Sequence, residues 1–228
     1  MVTDELMSFT SKQDSDLTGI ANVKLYEENI SIGHPKNYVE DAKSVIILGV
    51  KLIDAVCDSL KGEYDEHSIN FHGYLMHYIY NLLDYIAVST ANYIEAEGYK
   101  AYPIQSRSLI KKNKIRAGYF SFVQAATLAE MGVIGKNSLL ITPQYGQRIR
   151  FTAVITNADL SHNVVTNKMS IEDLSCGNCT ICIDACPVNA IEYDETNGSP
   201  IINKAKCSNW MDYCQCALCQ CICPKGRA

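Results

Sequence analysis

Long apolar runs are missing from this chain, and no stretch of eighteen or more residues is apolar enough to read as a membrane span. Positive charge is also in short supply. Twenty Lys and Arg stand against 25 Asp and Glu, a formal net charge of −5, so non-specific attraction to nucleic acid or anionic lipid is not expected. The opening MVTDELMSFTSKQDSDL lacks the basic and apolar regions of a secretory signal and has no twin-arginine pair, which predicts a cytoplasmic protein. From Ala101 to Ala129 there is no Asp or Glu at all. The histidines, His34, His67, His72, His77 and His162, have no spacing that sets two ligands on one helix face. GVIGKNS (132–138) has two residues between its glycines and Asn137 after the lysine, so it is not a nucleotide-phosphate loop; it reads as a tight helix-to-strand turn or as backbone approaching a cofactor. Before Cys176 the sequence has a single cysteine, Cys57 in LIDAVCDSL, which reads as a small buried apolar side chain.

What is present falls into two regions. Residues 1–165 alternate apolar patterns in the manner of a layered α/β domain. SVIILGV (44–50) predicts a buried central strand, and the spacing of Leu75, Ile79, Leu82, Leu83, Ile86, Tyr93 and Ile94 predicts a helix over 72–97 stopped by Gly98. YKAYPI (99–104), SLLITP (138–143) and IRFTAVITNA (149–158) read as strands, and FVQAATLAEMG (122–132) as a helix closed by Gly132. Residues 166–228 are polar and cysteine-rich. Poor in Leu, Val and Phe, that region is expected to depend on bound metal for its shape.

Ten of the 11 cysteines lie between Cys176 and Cys223. In a reducing cytoplasm such a crowd points to metal rather than to disulfides. CGNCTICIDACP places Cys176, Cys179, Cys182 and Cys186-Pro187 in the C-x2-C-x2-C-x3-C-P run of two-cluster ferredoxins, where three thiolates wrap one cubane and the fourth ligates the other. Zinc sites use paired C-x2-C instead. Cys216, Cys219 and Cys223-Pro224 form a second run without its leading cysteine, and Cys207 is the natural stand-in. Cys176, Cys179, Cys182 and Cys223 then hold one [4Fe–4S] cluster, while Cys186, Cys207, Cys216 and Cys219 hold the other. Cys214 could replace Cys207; otherwise Cys214 and Cys221 are spectators. Asn197-Gly198 lies between two strand-like runs and predicts a hairpin.

AATLAEMGVIGKNSLLITPQYGQRIRFTAVITNADL followed by CGNCTICIDACPVNAI resembles the superfamily of epoxyqueuosine reductases and reductive dehalogenases. The similarity covers about residues 40–224 and is strong over 124–224; YGQRIR (145–150) is closer to the dehalogenase version. The resemblance implies a nitroreductase-like α/β (α+β) domain at 1–165 that binds a corrinoid, followed by a ferredoxin-like two-[4Fe–4S] domain at 166–228 that feeds it electrons. It puts His72, Gly132, Gly135, Lys136, Asn137, Tyr145 and Gly146 near the cobalamin. A flavin or another tetrapyrrole is the alternative occupant.

Epoxyqueuosine reductases carry an acidic proton donor directly after the strand matching YKAYPI, where this chain continues QSRSLIKK. Tyr102 and Tyr119 are the candidate donors instead, as dehalogenases use a tyrosine. With four residues after Pro224, a later tRNA-binding module is not expected, nor is tRNA as a partner. The expected partners are an electron donor such as ferredoxin or flavodoxin, and a small-molecule substrate or a corrinoid protein. RSLIKKNKIR (107–116), with five positive charges and no acid, is a solvated loop or a site for an anionic cofactor tail, an acidic donor or RNA. Two functions are consistent with this pattern: a corrinoid-dependent iron–sulfur oxidoreductase, or an electron carrier that activates a partner protein and performs no substrate chemistry of its own.

Overall fold

A computed structural model of the chain describes residues 3–26, 33–60, 66–107, 111–112, 115–116, 118–161, 171–214 and 216–225. The first half opens with α1 (Thr3–Lys12), β1 (Leu17–Asn22), β2 (Ser44–Lys51), α2 (Asp54–Ser59) and α3 (Glu66–Ala96). It continues through β3 (Ala101–Ile104), β4 (Lys111–Lys112), β5 (Ile115–Arg116), α4 (Phe122–Leu128), β6 (Val133–Ile134), β7 (Leu140–Ile141) and β8 (Ile149–Thr156). The cysteine-rich half holds α5 (Ile171–Leu174), α6 (Ile181–Asp184), β9 (Ile191–Asp194), β10 (Ser199–Ile202), α7 (Lys204–Cys214) and α8 (Leu218–Cys221).

The central sheet has four strands in the order β1-β2-β8-β3, every neighbour antiparallel. Of the two layered classes expected, this is α+β. The β2 strand is an unbroken apolar run because both sheet faces are covered. Ile46, Leu48, Val50 and Leu52 join one core with α3, while Val45 and Ile47 join a second with α4. One residue of register slip would exchange these two sets, so the pairing Ile46↔Val154 and Ile47↔Ala153 is tightly specified.

Helix α3 begins earlier than the pattern from His72 indicates, but its stop is as expected. Gly98 adopts φ +86, the Tyr99 N–H donates to the Ile94 carbonyl and the Gly98 N–H to that of Glu95, which caps the orphan carbonyls of the last turn. Its inner face buries Leu75, Ile79, Leu83, Ile86 and Ile94 over the sheet, whereas Phe71, Tyr74, Tyr78, Tyr85 and Val88 stay exposed on its outer face. Among the described residues no helix is long and apolar enough to cross a membrane.

The polar opening forms α1, with Leu6 and Thr10 buried, and β1 adds an edge strand. Two expectations need correcting. Helix α4 ends at Leu128, four residues before Gly132, because Glu130 takes the left-handed stop at φ 54 while Met131 N–H reaches back to the Ala126 carbonyl. GVIGKNS is not a helix-to-strand turn but the tip of the β6–β7 hairpin, closed by Gly135 N–H to the Leu139 carbonyl at 2.8 Å.

Gly132 is needed there for a reason other than helix termination. A Cβ at that position would lie 2.1 Å from the Ile141 carbonyl oxygen, and backbone cannot yield as a side chain can. Gly132→Ala is expected to lower stability by about 1–3 kcal/mol, the usual cost of overpacking. Thermal denaturation checks this; an unchanged midpoint would refute the close approach.

Candidate functional site

The cysteine-rich half buries few apolar residues of its own: Leu174, Ala190, Ile191, Ala217, Leu218 and Cys221. The last three belong to the core shared with α3 and β2, so α8 docks onto the first domain. The expected hairpin is there: β9 pairs with β10, Asp194 opposite Ser199, and Gly198 turns at φ +66.

Folding brings the thiols together in two sets. Burial pushes the Cys182 thiol up to about 11, and the nearby Cys176, Cys223 and Cys179 add to the rise. Cys219 is pushed up to about 12, first by burial and then by Cys216 and Cys207. Cys182 also acts on Cys219, so the two sets are neighbours, and α6 packs on α8 between them. Cys186, Cys207, Cys216 and Cys219 line one cavity of about 140 Å³, with Trp210, Met211 and Ile191 on its walls. The Ala190 N–H donates to Cys186 Sγ at 3.2 Å.

Cys182 and Cys219 thus hold their protons, since either thiolate would be desolvated and repelled by its neighbours. A bound metal centre reverses that balance, because its positive charge deprotonates coordinating thiols outright. Among the described residues no three His, Cys, Asp or Glu side chains converge in a way that would hold a single metal ion. The Cys214 side chain lies outside the described residues; Cys207 is the one seen on the cavity wall.

The turns at 132–147 connect the first domain to this module. Lys136 is buried, donates to Glu195 Oε1 at 3.1 Å and lies 4.5 Å from the Tyr193 ring centroid. Asn137 and Gln147 exchange a pair of amide hydrogen bonds at 2.7 and 2.8 Å, and Asn137 Nδ2 also donates to the Cys219 carbonyl at 3.0 Å. Gln220 Nε2 donates to the Gln147 and Ile149 carbonyls. Thus Lys136 and Asn137, expected at a corrinoid, direct their side chains at the cysteine-rich module. Gly135 lies in the hairpin tip, and Tyr145 and Gly146 form the next turn, where Gly146 N–H donates to the Thr142 carbonyl and Gly146 takes φ +56.

Arg148 makes a second tie that the motif reading missed. Buried immediately before β8, it donates to Asp54 Oδ1 at 2.9 Å, Asp58 Oδ1 at 2.5 Å and the Cys221 carbonyl at 2.9 Å, joining the approach to β8 with α2 and α8. Lys51, foremost, and Arg148 hold the Asp54 carboxyl below its ordinary range. Cys57 is buried as expected, but it is also hydrogen-bonded to Cys221, so neither thiol is an isolated filler. The aspartates at i and i+4 on α2 were the available sequence signal for a buried cation, though nothing in the string pointed to Arg148.

His72 is buried on α3 within a turn of Leu75 and Met76, which belong to the core that also takes in Val56 of α2 and Leu218 of α8. The two candidate proton donors are together but elsewhere. Tyr102 and Tyr119 are exposed and gather around Tyr38, whose hydroxyl donates to the Tyr119 carbonyl at 2.9 Å and whose ring lies 5.2 Å from that of Tyr102. Tyr38 is raised above the usual phenol value by burial, then by the charges of Tyr102 and Tyr119. Tyr102 pairs with Ile155 near the far end of β8. That is about 20 Å along the strand from Ile149, where Gln220 docks. Part of the basic segment 107–116 lies outside the described residues; its β5 portion contacts α7.

An antiparallel α+β domain carrying a module of interleaved thiols at one end of its sheet defines the class. The chain is similar in part of its sequence to epoxyqueuosine reductases, and in fold to solved epoxyqueuosine reductases and reductive dehalogenases. It is 26% identical over 122 residues to an epoxyqueuosine reductase of Lactococcus garvieae, covering 46% of this chain and 32% of the relative. Among solved structures, a reductive dehalogenase of B12-dependent dehalogenation matches with a TM-score of 0.72 and 17% identity over 98% of this chain and 31% of its own. The epoxyqueuosine reductase of Streptococcus thermophilus matches with a TM-score of 0.59 and 17% identity over 98% and 66% respectively. No family model matches the sequence. The chain therefore spans about a third of the curated relative and just under two thirds of the solved reductase.

Proposed function

We propose that this protein is an iron–sulfur oxidoreductase that carries single electrons through two [4Fe–4S] clusters toward a corrinoid held by the α+β domain. The observation that supports it is the crossing of the two thiol sets. Cys223, from the end of the chain, joins Cys176, Cys179 and Cys182. Cys186, from the first run, faces the cavity of Cys207, Cys216 and Cys219. This interchange is what the two-cluster ferredoxin spacing requires. Bound there, the clusters would supply one-electron transfer, and a corrinoid would supply two-electron reduction of a substrate. The chain's own residues have defined tasks. Asn137 and Gln147 fix the Cys219 loop against β8, Arg148 clamps α8 to α2, and the walls around Trp210 and Ile191 keep water from the second set.

A second reading, an electron carrier that activates a partner, is favoured by one observation. No carboxylate lies between Ala101 and Ala129, and the tyrosines that would replace it sit near the far end of β8 from the thiols.

Titrating cobalamin into anaerobically reconstituted protein separates the two. A shift of the cobalamin absorption with saturation near one equivalent is expected for the oxidoreductase. Unchanged spectra would leave the carrier reading in possession, and iron bound in neither thiol set would defeat both.

A further inference from the structure

Two arginines flank Ile149, the first residue of β8, and meet different surroundings. Arg148 is spent on Asp54, Asp58 and the Cys221 carbonyl. Arg150 follows Ile149 and precedes Phe151, both in the core with α4, so alternation turns it to the other sheet face. There it lines the cavity of Cys186, Cys207, Cys216 and Cys219. Its Nε has no hydrogen-bond partner among the described residues, and none of the ion pairs among them involves Arg150. A half-buried guanidinium therefore faces the second thiol set with its charge uncompensated by any described carboxylate.

We propose that Arg150 is a redox-tuning residue: it raises the reduction potential of the cluster held by Cys186, Cys207, Cys216 and Cys219, so that electrons collect at the cluster bordering β8. The inference rests on the reading above that each thiol set holds a [4Fe–4S] cluster. Such a cluster gains one negative charge when it accepts an electron. A fixed cation at the cavity wall stabilises the reduced form more than the oxidised one, and does so strongly because a desolvated site screens poorly. Asn137 acts in the same sense, since an N–H dipole aimed at the Cys219 carbonyl favours added negative charge nearby. Arg150 is a positioning charge rather than a catalytic residue; it need touch no substrate.

The test is an anaerobic redox titration followed by electron paramagnetic resonance, on wild type, Arg150→Gln, Arg150→Lys and Val188→Lys, each with iron and sulfide counted first. In Arg150→Gln one of the two transitions is expected to fall, with about a tenfold lower ratio of reduced to oxidised cluster at the wild-type midpoint, which is 59 mV for a one-electron couple. Arg150→Lys should keep most of the wild-type value. Val188, on the same cavity wall, allows a cation to be added without touching Arg150, and Val188→Lys should move the same transition upward. Full iron with unmoved midpoints in Arg150→Gln overturns the proposal. If that variant loses iron, an unmoved midpoint in Val188→Lys overturns it instead. Failure of the cluster reading itself would be seen separately, as wild type lacking iron.

Discussion

Alanine at Cys219 is expected to cut the iron carried per chain about in half, from about eight atoms to about four. Cys182→Ala should give the same halving by removing the other cluster, and the double variant should carry none. The symmetry of the outcome is the point. Each cubane needs four thiolates, and the two sets share no member, so losing one ligand from either set costs one cluster and leaves its neighbour. Cys207→Ala should behave like Cys219→Ala, while Cys214→Ala should keep the full complement; the reverse would exchange their roles. Stripping all iron with a chelator should then unfold the 171–225 region, since its own buried apolar residues are few and half of them belong to a core shared with α3. Iron analysis and circular dichroism measure both effects. Either single alanine variant with undiminished iron would remove the basis for two interleaved clusters.

Leu83→Ala should have the largest effect on the other half. Leu83 is fully buried on α3, between the helix and the sheet. Truncation loses its transfer free energy and leaves a cavity that close-packed neighbours fill only in part, about 2–5 kcal/mol in comparable cores. At about 2–4 °C per kcal/mol for a chain of this size, the midpoint should fall by roughly 5–20 °C. The fall should be of similar size with and without iron, because the cysteine-rich half supplies only Ala217, Leu218 and Cys221 to the buried members of that core. A drop confined to the iron-loaded protein would mean that the first domain does not stand alone.

The legible parts of the fold were those in which a local rule coincides with the tertiary outcome. β2 is an apolar run because it is covered on both faces, and the end of α3 is marked by a glycine that the left-handed cap favours. The edge strand β1 and helix α1 carry no such local signal. LTGIAN has no strong alternation, and α1 carries acids and serines on a face that stays wet while only Leu6 and Thr10 are buried. Helix α4 was overextended because a glycine looked like its stop, whereas Glu130 takes the left-handed position and Gly132 serves the approach to Ile141. The site divided similarly. Cysteine spacing is what proposes the two thiol sets, since ligands of one cluster must recur within a loop's reach, but it could not indicate that Lys136 and Asn137 brace that module.

The order of residues alone thus settles which atoms are available for redox chemistry: a thiolate spacing has very few physical uses, and it is local. Three-dimensional packing settles what those atoms feel. Whether a guanidinium is neutralised, as at Arg148, or left facing a cavity, as at Arg150, depends on α2 and the cysteine-rich module, elements far away along the chain. Charge acts through space with a strength set by burial, and neither separation nor burial is written in any short stretch of sequence.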